Sequence, residues 1–275
     1  MQEIETGSFA KPQFVVWPPS RIRIVSWNIN RGLELQRIIT FLESAKADVV
    51  FLQECDVNAR RTHHLNIAKE ISQKAAMNYV FGREFQELTQ GSRASPAFHG
   101  QATLSRWPLS GARIIRFRRQ SNFWRPHWFF PEVSPFQERL GGRVALVTET
   151  NVAGKTVITY NLHLESKGDD ALRCAQLSET LDDATRDDRN MPIVLAGDFN
   201  LDVSEGAGAT ALRRAEFRDA FASQHLPTTP HTFMEKGRVI DWIFTRGFAS
   251  SSEPKVHRSV KASDHFPLSF VLGLS

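Results

Sequence analysis

Residues 192–196, PIVLA, form an unbroken apolar run that stops on Gly197-Asp198-Phe199-Asn200. A strand with one wet face alternates polar and apolar side chains, so a run of this kind marks a strand covered on both faces. A chain that holds such a strand must supply a layer on each side of it, which restricts the fold to a layered one, and the β-α-β order of the elements around it makes that an α/β architecture. The flanking pattern agrees. Arg21–Trp27 and Asp48–Leu52 read as strands, and Leu33–Lys46 between them reads as an amphipathic helix.

Leu65–Ala76 is a second helix candidate, followed by strands near 78–81, 101–104, 113–117, 143–150 and 156–164, with turns at Gly141-Gly142 and Ala153-Gly154. Asp169–Arg186 reads as a helix with Asp169 or Asp170 near its N-cap, where carboxylates are favoured. A helix around Ala209–Arg218 and strands at 239–244 and 267–272 complete the pattern. Two β-α-β stretches around a central meander predict mixed sheets rather than an all-parallel one. The expectation is an N-terminal extension over residues 1–20 and a single domain over 21–275. With 41% hydrophobic residues the chain can bury a sizeable core for it.

Polar residues interrupt the strand-like runs at or just past their C-terminal ends, where open α/β sheets place their sites. The interruptions are Ser26-Trp27-Asn28-Ile29-Asn30, Leu52-Gln53-Glu54, Asn161-Leu162-His163-Leu164-Glu165, Gly197-Asp198-Phe199-Asn200 and Ser263-Asp264-His265, with Ile240-Asp241-Trp242 as a sixth. Singly, each has a plain structural reading. Glu54 alone is a turn or cap residue, His163 a hydrogen-bonded core histidine, and Asp198 with Asn200 an Asx-turn. Together they supply carboxylates, asparagines and imidazoles with no cysteine among them, and hard oxygen donors select Mg²⁺, Mn²⁺ or Ca²⁺ over Zn²⁺. Mg²⁺ needs only one or two protein carboxylates because substrate phosphate oxygens complete its shell. Histidines beside such a cation can stabilise the added negative charge of a five-coordinate phosphorus.

The ordered set SWN, LQE, NLHLES, GDFN, IDW and SDH resembles the endonuclease/exonuclease/phosphatase superfamily, over a span from Arg21 to Leu272. The resemblance implies a four-layer α/β/β/α sandwich of two packed mixed β-sheets flanked by helices, and a metal-dependent hydrolase of phosphoric esters. It further implies metal contacts from Asn28, Glu54 and Asp264 to Mg²⁺ or Mn²⁺. Asp198 would orient or deprotonate the attacking water, and Asn200 would hold the phosphate or that nucleophile. His265, oriented by Asp241, would contact the scissile phosphate or act as general acid/base, and His163 would stabilise the phosphorane. Asp198 and the His265–Asp241 pair remain alternatives for the base.

For the substrate, nucleic acid, DNA in the first place, is the expectation, with a repair-type phosphodiesterase suggested by His163-Leu164-Glu165-Ser166, which is similar to the corresponding motif of tyrosyl-DNA phosphodiesterases. Residues 110–143 hold seven arginines against Glu132 and Glu138, a local basic field suited to an anionic partner. The stretch Ser121–Arg139 interleaves tryptophans and phenylalanines with arginines. It reads as a loop over a satellite core, as a substrate lip that stacks bases, or as a membrane-surface loop. Arg60-Arg61 with His63-His64 is a solvated loop or a phosphate contact, and Arg106 is structural. A phospholipid or sugar-phosphate phosphoesterase is the alternative, and a catalytically silent binding module of the same fold the third reading.

No run approaches the ~18 apolar residues of a membrane helix. The N-terminus begins acidic, without the basic and apolar regions of a secretory signal. Cys55 and Cys174 cannot build a disulfide framework. These features set the expectation of a cytoplasmic protein with reduced thiols; a monomer is expected.

Overall fold

The computed structural model of the 275-residue chain describes residues 3–11, 19–124, 138–152, 154–186, 191–222, 224, 226–232, 236–248 and 250–274. In chain order the elements are β1 (Ile4–Gly7), β2 (Arg21–Arg31), α1 (Leu35–Ala45), β3 (Val49–Val57), α2 (Ile67–Ala75), β4 (Asn78–Glu87), β5 (Ala97–Ser105) and β6 (Leu109–Arg116). Next come β7 (Arg139–Gly141), β8 (Val144–Val152), β9 (Lys155–His163), α3 (Asp170–Ala184), β10 (Ile193–Asp198) and α4 (Gly206–Arg214). The last are β11 (Arg218–Asp219), β12 (Asp241–Arg246), β13 (Ser251–Val256) and β14 (Leu268–Gly273).

The strands form two mixed sheets. One runs β1-β4-β5-β3-β2-β14-β13, with β7 also on β4, and the other runs β11-β12-β10-β9-β8-β6. The two β-α-β units give the parallel pairs, β2 with β3 and β9 with β10.

Alternation along the strands builds the layers. In β2, Val25, Trp27 and Ile29 pack under α1 and α2 with Ile38, Leu42 and Ile71. The intervening Ile22 and Ile24 face the other sheet, against Val194, Ala196 and Ile243. In β10, Ile193 and Leu195 turn the opposite way, onto Leu177, Leu181 and Leu212 of α3 and α4. Each such buried aliphatic stabilises the fold by about 1.5–3 kcal/mol relative to exposure. The result is the expected α/β/β/α sandwich, and β10 is covered on both faces as its unbroken apolar run requires.

Asp169 caps α3 by accepting from the Leu172 amide at 2.8 Å. α4 ends at Arg214 instead of reaching Arg218, because Glu216 takes a left-handed φ of 62° and Arg218 begins a short strand. β1, β7, β11 and β13 are not among the strands that the sequence predicts. β13 is polar and holds Pro254, which only an edge strand tolerates without losing a ladder bond. β1 lies within the expected N-terminal extension and pairs with β4 from Ile4–Gly82 to Gly7–Tyr79.

Candidate active site

β2 and β3 do not stop before their polar motifs; they run through them to Arg31 and Val57, and the ladder slips where the polar side chains sit, between Asn28 and Arg31 and between Leu52 and Cys55. A bulge re-aims a side chain that the pleat would otherwise bury or expose. Glu54 lies in that irregularity with φ 56°, a left-handed conformation that costs a non-glycine residue about 1–2 kcal/mol. His163 and Asp198 are the last residues of β9 and β10, and Asp241 is the first of β12, which is antiparallel to β10. His265 precedes β14, itself antiparallel to β2. All these side chains therefore emerge at one end of the sandwich.

Asp198 Oδ2 is the hub. Asn28 Nδ2 donates to it at 3.0 Å, and His163 Nε2 and His265 Nε2 lie 3.6 and 3.7 Å away. Asn28 Nδ2 also faces Glu54 Oε1 at 3.4 Å, and His163 Nε2 is 3.9 Å from the same oxygen. His265 Nδ1 donates to both oxygens of Asp241 at 3.0 and 2.8 Å, and Trp27 Nε1 pins the His265 carbonyl at 2.9 Å. Asn200 closes an Asx-turn through its amide to Asp198 Oδ1 at 2.9 Å, and its side-chain Nδ2 donates to the Leu164 carbonyl at 3.1 Å. The plain and the functional readings of this motif therefore coexist. Asp264 is exposed; its Oδ1 accepts from Ser263 Oγ at 3.1 Å, and the same hydroxyl bonds the Asn28 carbonyl at 2.7 Å. The structure thus gathers Asn28, Glu54, His163, Asp198, Asn200, Asp241 and His265, with Asp264 at the rim.

Burial sets the proton affinities. Desolvation pushes the Asp198 carboxyl above the ordinary range, and Asp241 adds to the effect against the pull of His265. For His265, desolvation favours the neutral ring, but the carboxylates of Asp241 and Asp198 outweigh it and hold the imidazolium. His163 is held well below the usual histidine value by desolvation and then by Arg143. Glu54 stays below the usual carboxyl value although desolvation opposes it, because His99, Arg31 and Arg143 lie near.

The donor set suits a hard divalent cation. Among the described residues, Asp198, Asp241 and His265 offer ligand atoms within 4.8 Å of one another. Asp241 has both oxygens engaged on His265, whereas Glu54 presents a partly exposed carboxylate, 21% accessible. The neighbouring Cys55 is buried, and desolvation followed by Asp56 pushes its thiol well above the usual value, so no thiolate competes.

The basic field expected over 110–143 is largely cancelled. Arg113 pairs with Asp183, Arg116 with Glu3, Arg118 with Glu179, Arg139 with Glu87 and Arg143 with Glu84, all within 3.5 Å. Sequence counting missed this because all five acids lie outside the counted window, Glu3 more than 100 residues from its partner. Arg61 is likewise engaged, donating to both oxygens of Asp56, and Arg106 bonds Asp48 and the Ala47 carbonyl. Of the aromatic stretch Ser121–Arg139, residues 125–137 lie outside the described residues. Trp124 is buried, its Nε1 bonded to Glu165 Oε1 at 3.0 Å, while Phe123 is exposed beside Lys167. Glu165, from the Glu-Ser pair after His163, is therefore a buried anchor. Sequence reasoning passed over Glu84 and His99, which lie within β4 and β5, and counted Arg143, which immediately precedes β8, only as part of the basic field.

A family model described as the endonuclease/exonuclease/phosphatase family matches residues 25–265. No curated protein sequence matches the chain. Among solved structures, an endonuclease/exonuclease/phosphatase from Beutenbergia cavernae is similar at TM-score 0.71 and 19% identity, covering 94% of this chain and 72% of that one. TDP2 from Caenorhabditis elegans is similar at TM-score 0.64 and 16% identity, covering 92% and 74%. The human Nocturnin catalytic domain with bound sulfate is similar at TM-score 0.66 and 15% identity, covering 99% and 98%. The fold, the gathered motifs and the family match lead to one conclusion: the chain belongs to the endonuclease/exonuclease/phosphatase family and is a hydrolase of phosphoric ester bonds.

Proposed function

We propose that the protein is a Mg²⁺- or Mn²⁺-dependent phosphodiesterase acting on nucleic acid, DNA in the first place, in a repair-type reaction. The observation that carries the chemistry is Asp198 Oδ2, which has one amide and two imidazole nitrogens within 3.7 Å and Glu54 beyond the shared Asn28 amide. Glu54, with Asn28 beside it and Asp264 at the rim, would hold the cation, which when bound polarises phosphoryl oxygens and acidifies water.

Asp198 orients the attacking water and takes its proton; desolvation raises its proton affinity for that task. His265, as an imidazolium oriented by Asp241, donates from Nε2 to a phosphoryl or leaving-group oxygen. His163 donates to the developing charge on phosphorus, and Asn200 keeps Asp198 and the phosphate in register. A preorganised donor of this kind is worth about 10²–10³ in kcat.

Two features support nucleic acid: the full set of family motifs and the similarity to a solved TDP2, whose sequence resembles this one at only 16% identity. The pairing of the 110–143 arginines with acids favours a second reading, a small phosphoester such as a sugar phosphate or a lipid head group, which needs no extended basic track. The experiment is a metal-supplemented panel of single- and double-stranded DNA, abasic and 5′-blocked DNA, RNA, sphingomyelin and inositol phosphates. Cleavage of DNA that stops in EDTA and falls steeply with salt is expected. Turnover of a lipid head group or an inositol phosphate without turnover of any nucleic acid overturns the substrate assignment.

A further inference from the structure

Arg143 is buried beside the site with its guanidinium against the face of Phe85, 5.2 Å from the ring centroid. Its Nη1 lies 2.8 Å from His163 Nδ1 and 3.1 Å from Glu84 Oε2, and its Nη2 donates to Ser166 Oγ at 3.1 Å. Its peptide group is clamped on both sides by Gln120, whose Oε1 accepts from the Arg143 amide at 2.8 Å and whose Nε2 donates to its carbonyl at 2.7 Å. A nitrogen–nitrogen contact of 2.8 Å is a hydrogen bond only if one partner accepts. A guanidinium has five donors, no acceptor, and does not deprotonate in proteins. His163 Nδ1 must therefore be the bare nitrogen.

We propose that Arg143 is a positioning residue that locks His163 as the neutral tautomer with its one proton on Nε2, so that this histidine serves as a fixed hydrogen-bond donor and takes no part in proton transfer. A neutral imidazole carries one N–H, and with Nδ1 bare that N–H sits on Nε2, the atom 3.6 Å from Asp198 Oδ2 and 3.9 Å from Glu54 Oε1. A second proton on Nδ1 would point at the guanidinium donors. Proton movement is left to Asp198 and the His265–Asp241 pair, an assignment that rests on the phosphodiesterase reading above.

The contrast with His265 is informative. There a carboxylate faces Nδ1, which makes that nitrogen the donor. At His163 a carboxylate is also near, Glu84 Oε2 at 3.6 Å from Nδ1, but Arg143 Nη1 touches both groups and takes the shorter contact to the ring. Without the arginine, Glu84 would draw a proton onto Nδ1, and the ring would become either the Nδ1–H tautomer or an imidazolium like His265. One residue thus decides whether two similar histidine–carboxylate arrangements behave alike.

The test is the ring nitrogen spectrum of the full-length chain labelled with ¹⁵N-histidine, with His163 identified by the signals lost in His163→Gln. The wild type should show one tautomer, Nε2 protonated and Nδ1 bare, in EDTA and with Mg²⁺ added. Arg143→Lys, still a donor with no acceptor, should keep that tautomer and most of kcat. The double variant Arg143→Met/Glu84→Gln removes both buried charges together, so neither is left unpaired. It should admit the Nδ1-protonated form and lose about 10²-fold in kcat with little change in KM. A wild-type His163 with a proton on Nδ1 overturns the proposal, and so does a double variant that keeps both the tautomer and kcat. Should the double variant fail to fold, the wild-type and Arg143→Lys spectra still decide. Should no phosphodiester be turned over while the tautomers appear as expected, the substrate assignment falls and the tautomer assignment stands.

Discussion

The side-chain amide of Asn28 donates to Asp198 Oδ2 at 3.0 Å, joining β2 of one sheet to β10 of the other across 170 residues of sequence. The same nitrogen faces Glu54 Oε1 at 3.4 Å, so one neutral group stands between two carboxylates. Asn28→Ala removes it and leaves Asp198 and Glu54 to repel each other. The expected outcome is a loss of about 10²–10³ in kcat. The lost hydrogen bond at a buried acceptor should cost about 1–3 kcal/mol, read as a fall in Tm. Asn28→Asp should be worse in both assays, because a third carboxylate enters the cluster.

Glu54 sits at φ 56°. A left-handed backbone is free for glycine and strained for alanine, so Glu54→Gly should be more stable than Glu54→Ala by about 1 kcal/mol, which in a chain of this size is a Tm difference of about 2–4 °C. Both should be inactive. Thermal melts of the two variants check this, and an alanine variant that melts higher contradicts the left-handed assignment.

Much of this architecture is legible in the sequence because it follows from periodicity. The β2–α1–β3 and β9–α3–β10 units, the N-cap at Asp169 and the doubly covered β10 all come from patterns local to a few residues. The site motifs are legible as a set, since carboxylate, amide and imidazole recur at strand ends. What stays hidden is pairing at a distance. The arginines of 110–143 count as a basic patch until Asp183, Glu3, Glu179, Glu87 and Glu84 are seen against them. The bulges at Asn28 and Glu54 are equally invisible, because a one-residue slip in a ladder changes no composition.

Asn161, two residues before His163 on β9, donates to the carbonyls of Leu52 and Ala102 in the other sheet at 3.1 and 2.9 Å and accepts from Gln53 Nε2 at 2.7 Å. It pins the end of β9 to β3 and β5 just beneath the site. Asn161→Leu orphans these buried partners and should lower stability by about 1–3 kcal/mol or more in denaturant unfolding. Activity should fall with it, since His163 loses its alignment. Unchanged stability would mean that the inter-sheet bonds contribute nothing net.

His257 packs edge-on to Phe41 and lies 2.7 Å from Ser269 Oγ. Desolvation pushes its pKa down to about 4, with Lys255 and Arg23 adding to the effect. In the unfolded chain the ring titrates near the ordinary ~6.5. Between these values the unfolded state binds a proton that the folded state refuses, so stability falls as pH drops from about 6.5 to about 4. His257→Gln should flatten that part of the Tm–pH curve. A variant whose curve parallels the wild type assigns the acid sensitivity to other groups.

On the proposed function, Glu54 and Asp198, brought to one end of the sandwich, carry metal-dependent hydrolysis of a phosphodiester. Cleavage of a DNA oligonucleotide by wild type, Glu54→Gln and Asp198→Asn, each with Mg²⁺ and with EDTA, tests this. Wild type should cleave with Mg²⁺ and stop in EDTA, and both variants should lose about 10³-fold or more while their Tm values stay within a few degrees. Two well-folded variants that cleave like wild type, or wild-type cleavage that EDTA leaves untouched, would contradict it.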